Sequence, residues 1–236
     1  PPTPPPNPTR GGPPATGARP PLAGGWYGEA FVQYHSREGN GFVTRGPLAF
    51  DDEDSRIGYF GALANEQEFG PIFLRALTVT MFPDTLADNG VAAAERSDYV
   101  NATAKLAAGW DLDEQGRRLI VAGEVGHAFD TPERTVLGLP GSGDAGGWAW
   151  QLGADIEEFL PKQTIGIVYG QVDGGWLISN DYRQNNELAE LRWQYQFTKE
   201  FRIQFRARWR RDLERRAGAA FLQRDRDMRI RATWKF

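Results

Sequence analysis

Cysteine is missing from the 236-residue chain, and histidine and methionine are nearly so, at two residues each. The first absence excludes a disulfide framework, a thiol nucleophile and any Cys-based metal site. Two histidines, His35 and His127, are too few for a His-rich metal centre, so no metal or other cofactor is expected. Long apolar runs are lacking as well. Charged residues make up 25% of the chain, mean hydropathy is −0.53, and no window approaches the ~20 apolar residues of a spanning helix. That excludes a helical membrane protein. It leaves open the other spanning solution, a closed barrel, because strands that alternate lipid-facing and lumen-facing residues average out as polar. Neither an initiator Met nor a leader opens the chain, which reads as processing or trimming.

What is abundant suits β-structure: 28 glycines and 12% aromatics. Ten of the sixteen prolines fall within residues 1–25, a segment expected to form neither ladder nor core and to serve as a disordered tail or linker. Residues 26–236 are expected to form one all-β domain. Charge is lopsided: residues 201–236 hold twelve Lys/Arg against four Asp/Glu, a local +8, which leaves −12 for the other 200 residues.

Period-two alternation is clearest near the C-terminus. Ala189, Leu191, Trp193, Tyr195 and Phe197 alternate with polar residues. The pattern returns in Phe201, Ile203, Phe205, Ala207 and Trp209, and again in Met228, Ile230, Ala232, Trp234 and Phe236. Strands are expected near 26–35, 55–64, 70–82, 98–112, 117–130, 147–158, 163–172, 186–197, 201–211 and 226–236, with a further strand at 41–50 as an alternative. Short connections (65–68, 113–116, 160–162, 198–200) alternate with long ones (36–54, 83–97, 131–146, 173–185, 212–225). A soluble sandwich also alternates, but three features favour a transmembrane antiparallel barrel of about ten strands. These are strands of about ten residues or more where globular ones run five or six, aromatics near strand ends as in interfacial girdles, and short periplasmic turns opposite longer extracellular loops.

The terminal run Met228, Ile230, Ala232, Trp234, Phe236 resembles the C-terminal signal of Gram-negative outer-membrane proteins, in which a final Phe follows apolar residues at alternate positions. The resemblance implies an integral outer-membrane location with the N-terminal tail in the periplasm. It also implies recognition by the barrel-assembly machinery and contact with outer-membrane lipid and lipopolysaccharide. More loosely, residues 185–199 and the strands after them look like the last hairpins of porins of the phosphate-selective O/P type, over about fifty residues. A second loose resemblance is to the C-terminal barrels of exopolysaccharide-export proteins, where a periplasmic domain precedes the barrel.

If the apolar faces meet lipid, Arg192, Arg202, Arg206, Arg208, Arg210, Arg229, Arg231 and Lys235 line the lumen and lower the energy of an anion there. Trp193, Tyr195, Phe197, Phe201 and Trp209 then form lipid-interface aromatics. The competing reading is a salt-bridged plug, with Glu187, Glu190, Asp155, Glu157, Glu124 and Asp111 also expected inside; a barrel this narrow is little wider than those that side chains fill. No catalytic pair is expected. His35 and Ser36 are adjacent and face opposite sides of a strand, and His127 reads as an interfacial residue. Nucleic acid is excluded as a partner because the aromatics lie on the face opposite the arginines. The acidic run Asp51-Asp52-Glu53-Asp54 lacks the glycine and spacing of a calcium loop.

The expected function is therefore a non-enzymatic outer-membrane channel for passive diffusion of small anionic or polar solutes. The alternatives are a plugged barrel acting through its extracellular loops or a periplasmic partner of the tail, and the C-terminal barrel of a larger exporter. Residues Trp176, Leu177 and Ile178 in the 173–185 loop are candidates to fold inward or to bind a partner.

Overall fold

A computed structural model describes residues 15–18, 20–34, 57–87, 96–179 and 182–235. The chain is all-β. Ten long antiparallel strands follow a short first one: β1 (Ala15–Ala18), β2 (Trp26–Tyr34), β3 (Ile57–Asn65), β4 (Ile72–Ala87), β5 (Arg96–Asp111), β6 (Arg118–Ala128), β7 (Trp148–Leu160), β8 (Gln163–Val172), β9 (Asn186–Gln196), β10 (Phe201–Asp212) and β11 (Arg224–Trp234). Each pairs with its sequence neighbours in one sheet, a barrel-like meander whose order runs from β1 to β11, with no pairing between first and last among the described residues. The alternative 41–50 strand, the pair His35/Ser36 and the acidic run Asp51–Asp54 lie outside the described residues, as does Phe236.

Two strand limits depart from expectation. Ala15–Ala18 pairs with Ala30–Gln33 although it lies in the segment expected to form no ladder. Its sequence, Ala-Thr-Gly-Ala, falls in the five-residue gap between Pro14 and Pro20, where every residue keeps its N–H. Strand β4 runs on to Ala87 through Pro83, where a loop was expected. The register shifts between Phe82 and Leu86, and Asp84 sits at φ 48°, so the proline occupies a bulge rather than a regular ladder position.

Register gives two clean faces over β8–β11. Outward cross-strand rows read Gln171–Glu187–Arg211–Arg224, Tyr169–Ala189–Trp209–Arg226, Ile167–Leu191–Ala207–Met228, Ile165–Trp193–Phe205–Ile230 and Gln163–Tyr195–Ile203–Ala232, followed by the pair Phe201–Trp234. Apolar residues dominate the middle rows, and Met228, Ile230 and Trp234 are 75%, 74% and 65% exposed. Aromatics gather at the two ends. Tyr195–Phe197, Phe197–Phe201 and Phe201–Trp234 form ring contacts at 4.4, 5.2 and 5.5 Å at the short-turn end. Trp150–Tyr169 at 5.6 Å and His127–Trp148 at 4.5 Å stand at the long-loop end. His127 lies opposite Trp148 and faces outward with it. Arg75, which follows Leu74 and precedes Ala76 in β4, donates to Asn65 Oδ1 at 2.7 Å and lies within cation–π range of Trp26 and Phe69 at the short-turn end.

The buried core lies on the other face. Phe82, Leu86, Tyr99, Ala128, Ala149 and Val172 pack there with Trp176, and Leu177, Ile178 and Tyr182 cover them.

Candidate functional site

The basic face of β9–β11 is built in layers by the register. At the top, Leu188, Arg210 and Asp225 form a row. Below it Val168, Glu190, Arg208 and Asp227 stand side by side, then Gly166, Arg192, Arg206 and Arg229, then Thr164, Gln194, Gln204 and Arg231. Arg202 and Thr233 close the set with Gln196. Strand alternation is the reason: each of these residues falls on even positions in β8, β9 and β10 and on odd positions in β11, one pleat apart. Arg192, Arg202, Arg206, Arg208, Arg210, Arg229 and Arg231, seven of the eight basic residues expected together, share this face by register, and Lys235 directly follows β11.

Their charges are not equally balanced. Glu190 is almost fully buried and takes ion pairs from Arg192 and Arg208, with Arg206 Nε 3.8 Å from its Oε2. That Arg206 Nε is buried and makes no hydrogen bond. Arg210 is held by Asp225 at 3.3 Å and Asp227 at 2.6 Å. Arg202, Arg229, Arg231 and Lys235 make no ion pair among the described residues. The arginines Arg192, Arg206, Arg208, Arg229 and Arg231, with Gln204, surround a cavity of about 110 Å³. A second, of about 180 Å³, is lined by Arg202 and Lys235 together with Gln196, Lys199, Glu200 and Thr233 nearer the short turns. Like charges one row apart repel, and in a partly desolvated wall that repulsion is relieved by an anion held between them.

Gly166 shapes the row it belongs to. A Cβ there would lie 1.7 Å from Asp155 Oδ1, so only glycine lets the Asp155 carboxylate lie across the strand beside Arg192.

Across the sheet the same face is filled by the loop after β8. Tyr99 is fully buried; its hydroxyl accepts the Leu177 N–H at 2.9 Å and donates to Gly175 O at 3.3 Å. Trp176 lies against Gly126, where a Cβ would come within 2.5 Å of the indole ring. Beneath this loop a cavity of about 280 Å³ is lined by Thr103, Glu124, Gln151, Trp176, Ser179 and Tyr182, and Gln151 donates to Glu124 at 3.1 Å. The inward fold of Trp176, one of the two outcomes expected for this loop, is thus the observed one.

One expected inward residue is not inward. Glu187 has odd parity in β9, pairs with Gln171 and Arg211 on the outer face, accepts from Tyr169 at 3.1 Å and binds Arg211 at 2.7 Å. The expectation placed it inside together with Glu190, three residues away, which a period of two forbids. Sequence reasoning also passed over Asp225 and the Tyr99 clasp. Asp225 was detectable: the alternation of β11 extends two residues further towards the N-terminus than the strand limit drawn from it. The aromatics Trp193, Tyr195, Phe197, Phe201 and Trp209 all fall on the outer face, as do Met228, Ile230, Ala232 and Trp234. Trp193 Nε1 donates to Gln163 at 2.8 Å, which satisfies the indole without drawing it inward. No family model, no curated protein and no solved structure matches the chain.

Proposed function

We propose that the chain is an integral outer-membrane barrel protein that passes small anions along the inner face of β9–β11. The observation that carries the reading is the cross-strand row Arg192–Arg206–Arg229, three guanidiniums side by side with an unpaired Arg231 one layer below. Such a row is costly unless a mobile anion shares it, and rings or columns of Arg are the usual means of favouring anions in a pore. The outer rows support the membrane part of the reading: an apolar band bounded by aromatics at both ends is what a lipid-facing wall requires. Because β2 and β11 are the first and last of ten long strands, they run antiparallel and have the polarity needed to pair. Nothing in the site asks for a nucleophile or a cofactor; the work is electrostatic selection.

A second reading, a plugged barrel acting through its loops, draws on the inward-packed Trp176 and the Tyr99 clasp. A third, one part of a larger barrel, draws on the edges. Residues 15–22 already cover the edge of β2 through β1, the Gly28 N–H to Pro20 O bond at 3.1 Å and the Leu22 N–H to Trp26 O bond at 2.7 Å, whereas among the described residues β11 has no partner strand beyond β10. An unpaired edge is not tolerated in lipid.

Single-channel conductance of the refolded chain in a planar bilayer under a salt gradient separates the three. Steady openings with an anion-selective reversal potential support the channel. A heat-modifiable, β-rich but silent protein supports the plug. A chain that inserts only with further strands supplied in trans supports the larger barrel.

A further inference from the structure

The outer wall carries a feature that a channel does not need. Arg211 and Arg224 stand directly opposite each other in the uppermost outward row of β10 and β11, and Arg226 faces Trp209 one row below. Directly opposed like charges destabilise a sheet. One of the three is answered: Glu187 holds Arg211 at 2.7 Å. Arg224 and Arg226 are exposed and make no ion pair among the described residues. Below them the same face becomes apolar through Met228, Ile230 and Ala232. Phe221, three residues before Arg224, is 85% exposed.

Height on the wall identifies the ligand. Arg226 sits level with the aromatic boundary formed by Trp209 and Tyr169, and Arg224 one row beyond it on the long-loop side, with an apolar surface directly beneath. A soluble anion requires only the charge. A lipid places an anionic head group and acyl chains at these two heights at once. Guanidiniums bind phosphate oxygens bidentately, and the geometry points to a site for the phosphate-bearing head group of a membrane lipid, held by Arg224 and Arg226 with its chains along Met228 and Ile230. This assignment rests on the membrane reading proposed above.

The test uses the full chain refolded into phosphatidylcholine vesicles with and without phosphatidic acid, followed by lipid counting after mild detergent extraction. The wild-type chain is expected to retain phosphatidic acid in preference to phosphatidylcholine. The double substitution Arg224→Gln/Arg226→Gln is expected to lower that preference by roughly twenty-five-fold, at about five-fold for each basic residue near an anionic surface. Equal retention of the two lipids by the wild-type chain overturns the site, and this arm needs no variant to fold. Unchanged preference in the double variant overturns the assignment to these arginines. Inorganic phosphate added at the same phosphate concentration is expected to leave the bound lipid in place; displacement by it would show a site for free phosphate rather than for lipid. Flotation of the vesicles distinguishes the two levels of failure: a chain that never floats with either lipid defeats the membrane reading itself, and the lipid site with it.

Discussion

Arg206 and Arg229 stand directly opposite one another across β10 and β11, with Arg192 opposite Arg206 on the other side, so that three like charges share one row of the sheet. The Glu190 carboxylate, one layer up, is already bound to Arg192 and Arg208. The row is therefore the point on this face where an added anion gains most and an added cation loses most.

Charge reversal at that row gives the most direct check. Arg206→Glu with Arg229→Glu turns three positive charges into one positive and two negative ones. The reversal potential across a salt gradient is expected to change sign from anion- to cation-selective. Selectivity that is indifferent to the double change places the ion path elsewhere.

Glu190 has the opposite role. Its side chain is buried with Arg208, whose exposure is only 5%. Removing one member of a buried ion pair leaves the other uncompensated, at a cost of about 3–5 kcal/mol. Glu190→Gln is expected to destabilise the folded protein by that order, read from urea unfolding in detergent. Arg231→Gln, which breaks no ion pair, is expected to cost well under ~1 kcal/mol. Equal costs for the two would mean that Glu190 is hydrated and not a structural counter-ion.

Much of this arrangement could be read from the chain before any coordinates. A period of two put Arg192, Arg202, Arg206, Arg208, Arg210, Arg229 and Arg231 on one face and Trp193, Phe205 and Trp234 on the other, because alternation is a local property of each strand. Pairing was not local. That Arg192, Arg206 and Arg229 share a row depends on the offsets across two hairpins, which the four-residue turn at 197–200 and the eleven-residue loop at 213–223 set differently. Burial of Tyr99 by a loop some 76 residues further along had no local signal beyond the apolar Trp176-Leu177-Ile178 run. The slip at Glu187 came from ignoring parity within one strand, and the missed β1 from letting proline content speak for the four residues that lie between prolines.

Depth on the outer wall sorts the aromatics. Phe205, Trp193 and Ile230 share a row near the middle of the apolar band, whereas Trp234 pairs with Phe201 at its short-turn end. Arginine at mid-plane costs about 2–4 kcal/mol in a lipid-facing wall and about 0–1 kcal/mol near the interface. Phe205→Arg is therefore expected to be severe and Trp234→Arg mild when unfolding is followed in lipid vesicles. Equal penalties in vesicles, or equally small ones, would contradict the facing and the depth together.

The Tyr99 clasp controls the loop after β8. Its hydroxyl answers the Leu177 N–H and the Gly175 carbonyl at once. Tyr99→Phe leaves both without that partner, at a cost of about 1–3 kcal/mol for groups that stay buried, so the loop is expected to detach rather than remain unsatisfied. Conductance should rise and the Trp176 fluorescence shift to longer wavelength as the indole leaves its buried site. A variant that loses stability with no change in conductance would assign the clasp to folding alone.

Asp173, the first residue beyond β8, provides a pH test outside the strands. Burial raises its pKa above the ordinary 3.8; the Trp148 N–H, 3.2 Å away, opposes this, Glu214 adds to the rise and His127 works against it. A carboxyl whose folded-state value is raised binds its proton more tightly when folded. Its contribution therefore stabilises on acidification, and is lost as pH climbs from the ordinary carboxylate range through the raised value. Asp173→Asn keeps an acceptor for the Trp148 N–H and removes the charge. It is expected to melt higher than the wild type at neutral pH, with the difference shrinking as pH falls towards 4. A variant less stable than the wild type at neutral pH would mean that the ionised carboxylate is needed where it sits, and that its hydrogen bond to Trp148 outweighs the cost of burying its charge.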